Sequence, residues 1–242
     1  MISENITAIR GRISSACIRA GRKPSEVTLV AVAKTFPGVA VREAVKAGVT
    51  DIGENYVQEA LRVRDEINEE QIRWHFVGHL QRNKVRSIVS WIHMIHAVDT
   101  VPLIAEIDRL ALQAGRVVEC LLEVNTTGET SKHGIPPHRV METAKAMWGY
   151  ENVRLVGLMT IGPFAENPEA SRPVFQHLRQ LKDEVASIAH GNIAMQHLSM
   201  GMTTDFEVAI EEGATLIRIG TAIFGSRKRQ INTGGRHETD TA

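Results

Sequence analysis

The chain has 242 residues, and its 28 Lys plus Arg balance 28 Asp plus Glu, so the formal net charge is zero. That balance argues against a polyelectrolyte partner such as DNA, which demands a basic stripe. Glu4, Arg10 and Arg12 interrupt the amino terminus and no run of about 18 apolar residues follows, so a soluble, cytoplasmic protein without a membrane span is expected.

Ile2, Ile6, Ile9, Ile13, Cys17 and Ala20 recur at helical spacing and predict a leading helix ended by Gly21. Val27 to Ala33 is apolar and rich in β-branched residues, which suits a strand buried on both faces; it ends in Lys34. Val41, Ala44 and Val45 mark a helix stopped by Gly48, and Val49 to Ile52 reads as a short second strand. Asn55 with Gln58 three later resembles a capping box, so a helix is expected to start there.

Ile72 to Val77 reads as strand three and Met94 to Val98 as strand four, with a helix through Val85, Ile88 and Val89 between them. Asp99 or Thr100 caps the next predicted helix, which has Pro102 in its first turn. Val117 to Val124 is strand five. Pro136 and Pro137 then open a helix with Val140, Ala144, Met147 and Trp148 inward. Val153 to Met159 is strand six, and its helix carries Val174, Phe175, Leu178, Leu181, Val185 and Ile188. Ala194 to Leu198 is strand seven, followed by a short helix capped by Thr203 or Thr204. Thr215 to Ile219 is strand eight.

Eight strands, each followed by a helical pattern, imply parallel strands joined by crossover helices. The expected fold is a closed (β/α)8 TIM barrel over residues 1–225, a single domain with an extra amino-terminal helix; an open doubly wound sheet is the alternative. Residues 226–242 are charged or rich in Gly and Thr and are expected to be disordered. Cys17 and Cys120 lie in unrelated segments and are expected to be reduced, packed thiols.

Parallel α/β folds place their chemistry at the carboxyl ends of the strands. Lys34, Asn55 and His79 follow strands one to three. Ser199 and Gly201 follow strand seven, and Arg218, Gly220 and Thr221 belong to strand eight and its exit. Barrels commonly bind phosphate after the last two strands. There glycines let backbone amides approach an anion, Ser199 and Thr221 add hydroxyl donors, and the helix after Gly220 aims its amino end. A lysine facing such a cradle suits a phosphorylated aldehyde, with which it can form a Schiff base. An arginine within Ile217-Arg218-Ile219 needs a partner, either an acid or a ligand acceptor. Taken singly, these are also ordinary features: a solvated lysine, turn glycines and a structural ion pair. His75, His79, His93 and His96 match no metal-ligand pattern, so no metal is expected. No GxGxxG follows strand one.

The motifs in order are Ala31-Val32-Ala33-Lys34-Thr35, Gly53-Glu54-Asn55-Tyr56-Val57-Gln58-Glu59 and Trp74-His75-Phe76-Val77-Gly78-His79-Leu80-Gln81-Arg82-Asn83-Lys84. Glu129, Lys132, Gly134 and Gly157-Leu158-Met159 follow, then Leu198-Ser199-Met200-Gly201-Met202 with Asp205, and Arg218 to Gly225. With these the chain resembles the single-domain pyridoxal phosphate homeostasis proteins, whose barrel is similar to that of bacterial alanine racemases. The resemblance implies that Lys34 carries pyridoxal 5'-phosphate as an internal aldimine, that Ser199, Gly220 and Thr221 hold its phosphate, that Arg218 faces the pyridine nitrogen and that Asn55 walls the pocket. An arginine gives that nitrogen no proton, so the ring is a weaker electron sink than one paired with a carboxylate.

The resemblance also implies a role in cofactor homeostasis without established turnover, by a monomer that hands the cofactor to apo-enzymes. Alanine racemases draw a second base from an additional domain, for which the chain is expected to leave no room after strand eight. An amino-acid racemase or related enzyme using the same lysine is the alternative, and a barrel binding another sugar phosphate without a Schiff base is a third. Lys84 and Lys132, each in a matching motif, are open as alternative landing sites.

Overall fold

The structure is a computed structural model and describes residues 1–225 except 70, 130 and 131. The expected disorder of residues 226–242 therefore lies outside the described residues.

Eight parallel strands close a barrel in sequential order, each pairing with the next and β8 with β1. They are β1 Thr28–Val32, β2 Asp51–Glu54, β3 Arg73–Phe76, β4 Met94–Val98, β5 Val118–Glu123, β6 Val153–Met159, β7 Ile193–Ser199 and β8 Leu216–Ile219. The helices are α1 Ile2–Arg19, α2 Gly38–Lys46, α3 Val57–Ile67, α4 Val101–Gln113, α5 Val140–Ala146, α6 Arg172–Ala186, α7 Phe206–Glu211 and the single turn α8 Thr221–Phe224. The leading helix has a structural job. Because α8 is only one turn, α1 packs against α2, α7 and α8 and covers the seam where β8 meets β1. Its buried stripe Ile6, Ile9, Ile13, Ala16 and Cys17 joins the apolar layer between barrel and helices. Arg12 and Arg19 pair with Glu207 and Glu211 of α7 at the rim of this contact.

A smaller apolar cluster, Val30, Met94, Ala97, Leu121, Val156, Met159 and Leu216, fills the rest of the barrel. Strand alternation sends successive side chains to opposite faces. In β2, Ile52 therefore packs in the outer layer while Asp51 joins a buried polar group within the barrel.

Several local expectations change. The second strand runs Asp51–Glu54, two residues later than Val49 to Ile52. Val49 is apolar because it is buried, whereas ladder pairing starts with Asp51 opposite Val30 and Arg73. Tyr56 occupies the N-cap of α3 without a side-chain cap bond, so Asn55 and Gln58 form no capping box. The segment after β3 is a 3-10 helix, Arg82–Ser87. Trp148 lies in a 3-10 turn after α5 and is 49% exposed, not inward. The N-cap of α7 is Asp205 and not Thr203 or Thr204; its carboxylate accepts from the Met202 N–H at 2.7 Å and from Ser171 Oγ at 2.8 Å.

Candidate functional site

The mouth of the barrel, at the strands' carboxyl ends, collects most of the residues singled out above. Lys34 sits half-buried just past β1. The next residue, Thr35, has φ of 69°. A β-branched residue in that left-handed region is strained, and such strain persists only where surrounding structure holds it. The Thr35 N–H donates to Glu59 Oε2 of α3 at 2.8 Å, and the Phe36 ring packs on Phe224 of α8 with centroids 5.1 Å apart. The lysine loop is thus tied at once to α3 and to the end of α8.

Across the β8–β1 seam, Gly220 opens α8. A Cβ there would meet the Val32 carbonyl oxygen at 3.1 Å, a tight contact, so glycine eases the close approach of the β8 exit to β1. Thr221 is exposed at this edge. Thr203 Oγ1 accepts from the Ala222 N–H at 3.4 Å, which places a second hydroxyl at the start of α8. Sequence reasoning took Thr203 only for a helix cap; its place two residues after Gly201 in the same loop was the available signal. Gly201 has a further part. With φ of 91°, its missing Cβ avoids Ala209 Cβ at 2.5 Å and Phe206 Cα at 2.9 Å, so beyond the anion approach expected of it, it seats α7.

Ser199 and Arg218 lie deeper. Ser199 is fully buried, and its Oγ accepts from Arg218 Nη1 and lies 2.9 Å from His96 Nδ1. Arg218 Nη2 donates to the Thr160 carbonyl at 2.8 Å. The protein partners of Arg218 are therefore a hydroxyl and a carbonyl; of the two partners expected, an acid or a ligand acceptor, the acid is not found. Burial draws its guanidinium down to about 10, opposed by Glu123 and Asp205, so it stays cationic at neutral pH. Glu123, buried at the end of β5, is pushed up to about 7 by burial and by the nearby Asp99.

Below these residues Asp51, His75 and His96 extend the polar group toward the amino ends of the strands. Sequence reasoning weighed both histidines for metal binding and missed this contact. The signal was a polar residue at the inward position of otherwise apolar strands.

On the other flank of β1, at the exits of β2 and β3, a cleft of about 400 Å³ is lined by Asn55, Tyr56, Phe76, Gly78, His79 and Lys84, among others. Asn55 Oδ1 is buried with no hydrogen-bond partner, and so are both carboxylate oxygens of the neighbouring Glu54. Glu54 faces α3. Burial, then Glu59, push its carboxyl up to about 8, which keeps it protonated at neutral pH. His79, Asp99 and His133 each offer one ligand atom within 4.8 Å of the others. The two imidazoles stack at 4.1 Å and 13°, so their in-plane lone pairs run nearly parallel instead of converging on an ion. Lys132, one of the two alternative lysines, is held by Glu129 Oε1 at 2.6 Å and the Gly162 carbonyl at 3.1 Å.

Comparison with known proteins gives the family of the chain. Residues 5–228 match the family model described as alanine racemase, N-terminal domain. A pyridoxal phosphate homeostasis protein of Aquifex aeolicus is 43% identical over 93% of this chain and 98% of its own. One of Pseudomonas aeruginosa is 41% identical over 93% of this chain and 96% of its own. The chain belongs to the pyridoxal phosphate homeostasis protein family. The solved structure of PipY of Synechococcus elongatus, with pyridoxal phosphate bound, superposes at a TM-score of 0.81 with 32% identity, covering 93% of this chain and 100% of PipY. The alanine-racemase-like barrel expected from the motifs is thus the observed fold. Among the described residues no helix is long and apolar enough to cross a membrane.

Proposed function

We propose that this protein binds pyridoxal 5'-phosphate at the barrel mouth, holds it as a reversible Schiff base on Lys34, and buffers and supplies it as a monomer in the cytoplasm. The observation that carries the reading is the arrangement of a half-buried lysine at the β1 exit against the close-packed Gly220–Thr221 turn across the seam, in a family whose relative PipY is solved with that cofactor. The residues present fit the group. Asn55 leaves a buried amide oxygen unpartnered beside the mouth, and buried polar atoms left so are costly unless something meets them.

The parts divide by chemistry. When bound, the cofactor would supply an aldehyde, and the Lys34 amine would hold it by a reversible condensation that releases one water. Gly220, Thr221 and Thr203 offer backbone and hydroxyl donors to the phosphate, with Ser199 behind them. Arg218, cationic and doubly bonded beneath the mouth, presents a donor to a ring nitrogen and withholds a proton from it. A ring so treated stabilises a carbanion poorly, which favours keeping the cofactor over turning over an amino acid.

The test is transfer. Protein loaded with cofactor and freed of excess is mixed with an apo-enzyme that needs it. Recovery of that enzyme's activity, absent with Lys34→Ala protein, is expected. Failure to restore activity, or sustained racemisation of amino acids by the loaded protein itself, would replace the carrier reading with the enzymatic one.

A further inference from the structure

A chain of buried side chains runs the length of the barrel interior, from the mouth to its base. Its proton order follows from donor arithmetic. Arg218 can only donate, so Ser199 Oγ accepts from it. Ser199 then gives its own proton to His96 Nδ1, 2.9 Å away. Neutral His96 must carry its proton on Nε2, which points at His75 Nδ1 at 2.9 Å. His75 in turn carries its proton on Nε2 and donates to Asp51 Oδ1 at 2.9 Å. Arg73 closes the chain, donating to both Asp51 oxygens at 2.8 and 2.7 Å. Every group is satisfied, and from Arg218 to Asp51 the donors all run from mouth to base.

The order that reverses the whole chain holds one more proton, placed on His75 beside the Asp51 carboxylate; on His96 the extra proton would reverse only the Ser199 bond, and full burial, His75 and Arg218 hold that imidazole well below its ordinary range. With His75 doubly protonated, both of its nitrogens donate. His96 switches to the Nδ1–H tautomer and donates to Ser199, whose hydroxyl proton is released from His96. A neutral His75 with the same direction would set a bare nitrogen against the Asp51 carboxylate, which His75 and Arg73 hold well below the usual carboxylate range. The chain therefore reverses only by gaining a proton. Entry is from below: a cleft of about 370 Å³ at the base is lined by Thr50, Asp51 and Arg73, and Arg73 is 51% exposed. The charged and titratable groups around His75 are Asp51 on β2, Arg73 on β3, His93 and His96 on β4, Glu119 on β5, His197 on β7 and Arg218 on β8.

We propose that Asp51, His75 and His96 are positioning residues for the mouth, and that an anionic ligand bound there draws one proton into this chain at His75 and reverses its hydrogen bonds. The inference rests on the cofactor site proposed above. Because linkage is reciprocal, affinity for the anion then falls by up to about tenfold per pH unit where the unliganded chain lacks that proton.

Nitrogen-15 histidine spectra of the full-length protein test it. Without ligand at pH 8, His75 and His96 are both expected as neutral Nε2–H tautomers. On saturation with pyridoxal phosphate, His75 is expected to become doubly protonated and His96 to move to Nδ1–H. Calorimetry in two buffers is expected to show about one more proton taken up than by His75→Gln; protons of the cofactor and of Lys34 cancel in that difference. Arg73→Gln, at the solvent-exposed base, guards against a variant that fails to fold. In it the same change of both histidine signals on ligand binding is expected. His96 found as Nδ1–H without ligand overturns the proton order. A visible band of bound cofactor with unmoved histidine signals overturns the coupling and leaves the cofactor reading standing. Neither band nor movement overturns both.

Discussion

Lys34 was legible in the sequence because an apolar strand ending in a lysine is a local pattern; what surrounds it was not, because its neighbours come from distant segments. Glu54 is the clearest case. In the sequence it stands only within a motif beyond the expected end of strand two, yet it ends β2, is 1% exposed and has both oxygens unpaired. Its carboxyl rises from 4.5 to about 8, chiefly by burial. An acid raised in this way binds its proton more tightly when folded. Stability therefore falls as pH rises between those two values, by about 1.4 kcal/mol per unit, and is level outside them. Glu54→Gln is expected to remove that slope and to raise stability at pH 8 by roughly 2–4 kcal/mol, measured by urea unfolding at several pH values. A variant less stable than the parent at pH 8 would show that the carboxylate is paired. Arg218 belongs to the same scale: a strand arginine needs a partner, and of the acid or ligand acceptor expected the acid is absent, Ser199 and the Thr160 carbonyl standing in its place.

Among the elements, the strands whose apolar pattern coincides with pairing were read at their true limits, as Met94–Val98 and Val153–Met159 show. The second strand slipped because Val49 is buried without pairing, and burial is all that an apolar residue reports. Trp148 failed for the converse reason: its helix breaks into a 3-10 turn, and the changed phase turns the ring outward. The α7 start depends on Gly201, whose φ of 91° and close approach to Phe206 and Ala209 leave no room for a methyl group. Gly201→Ala is expected to cost roughly 2–4 kcal/mol in denaturant unfolding and to weaken cofactor binding, since Thr203 follows in the same loop. An unchanged midpoint would mean that α7 shifts freely. On α1, Ile9→Ala is expected to cost about 2–4 kcal/mol by opening the seam layer, whereas Arg12→Ala, at an exposed ion pair, is expected to stay within about 1 kcal/mol. The reverse ranking would make the rim, not the buried stripe, the anchor of α1.

For the whole molecule, eight strand–helix repeats pointed to a closed barrel over the open doubly wound sheet, and the observed closure leaves no edge strand. The mouth was legible through its motifs. The polar chain through the interior was not, since no local pattern says that Asp51, His75, His96 and Ser199 meet. The function proposed for the mouth turns on whether the lysine at the β1 exit carries the cofactor. The direct measurement is to incubate the full-length protein with pyridoxal phosphate, record its visible spectrum, reduce it with borohydride and locate the modified peptide by mass. A visible absorption band, with the reduced adduct on Lys34 and lost in Lys34→Ala, is the predicted result. A protein that stays colourless and unmodified, or an adduct found on Lys84 or Lys132 while Lys34 is bare, would contradict it.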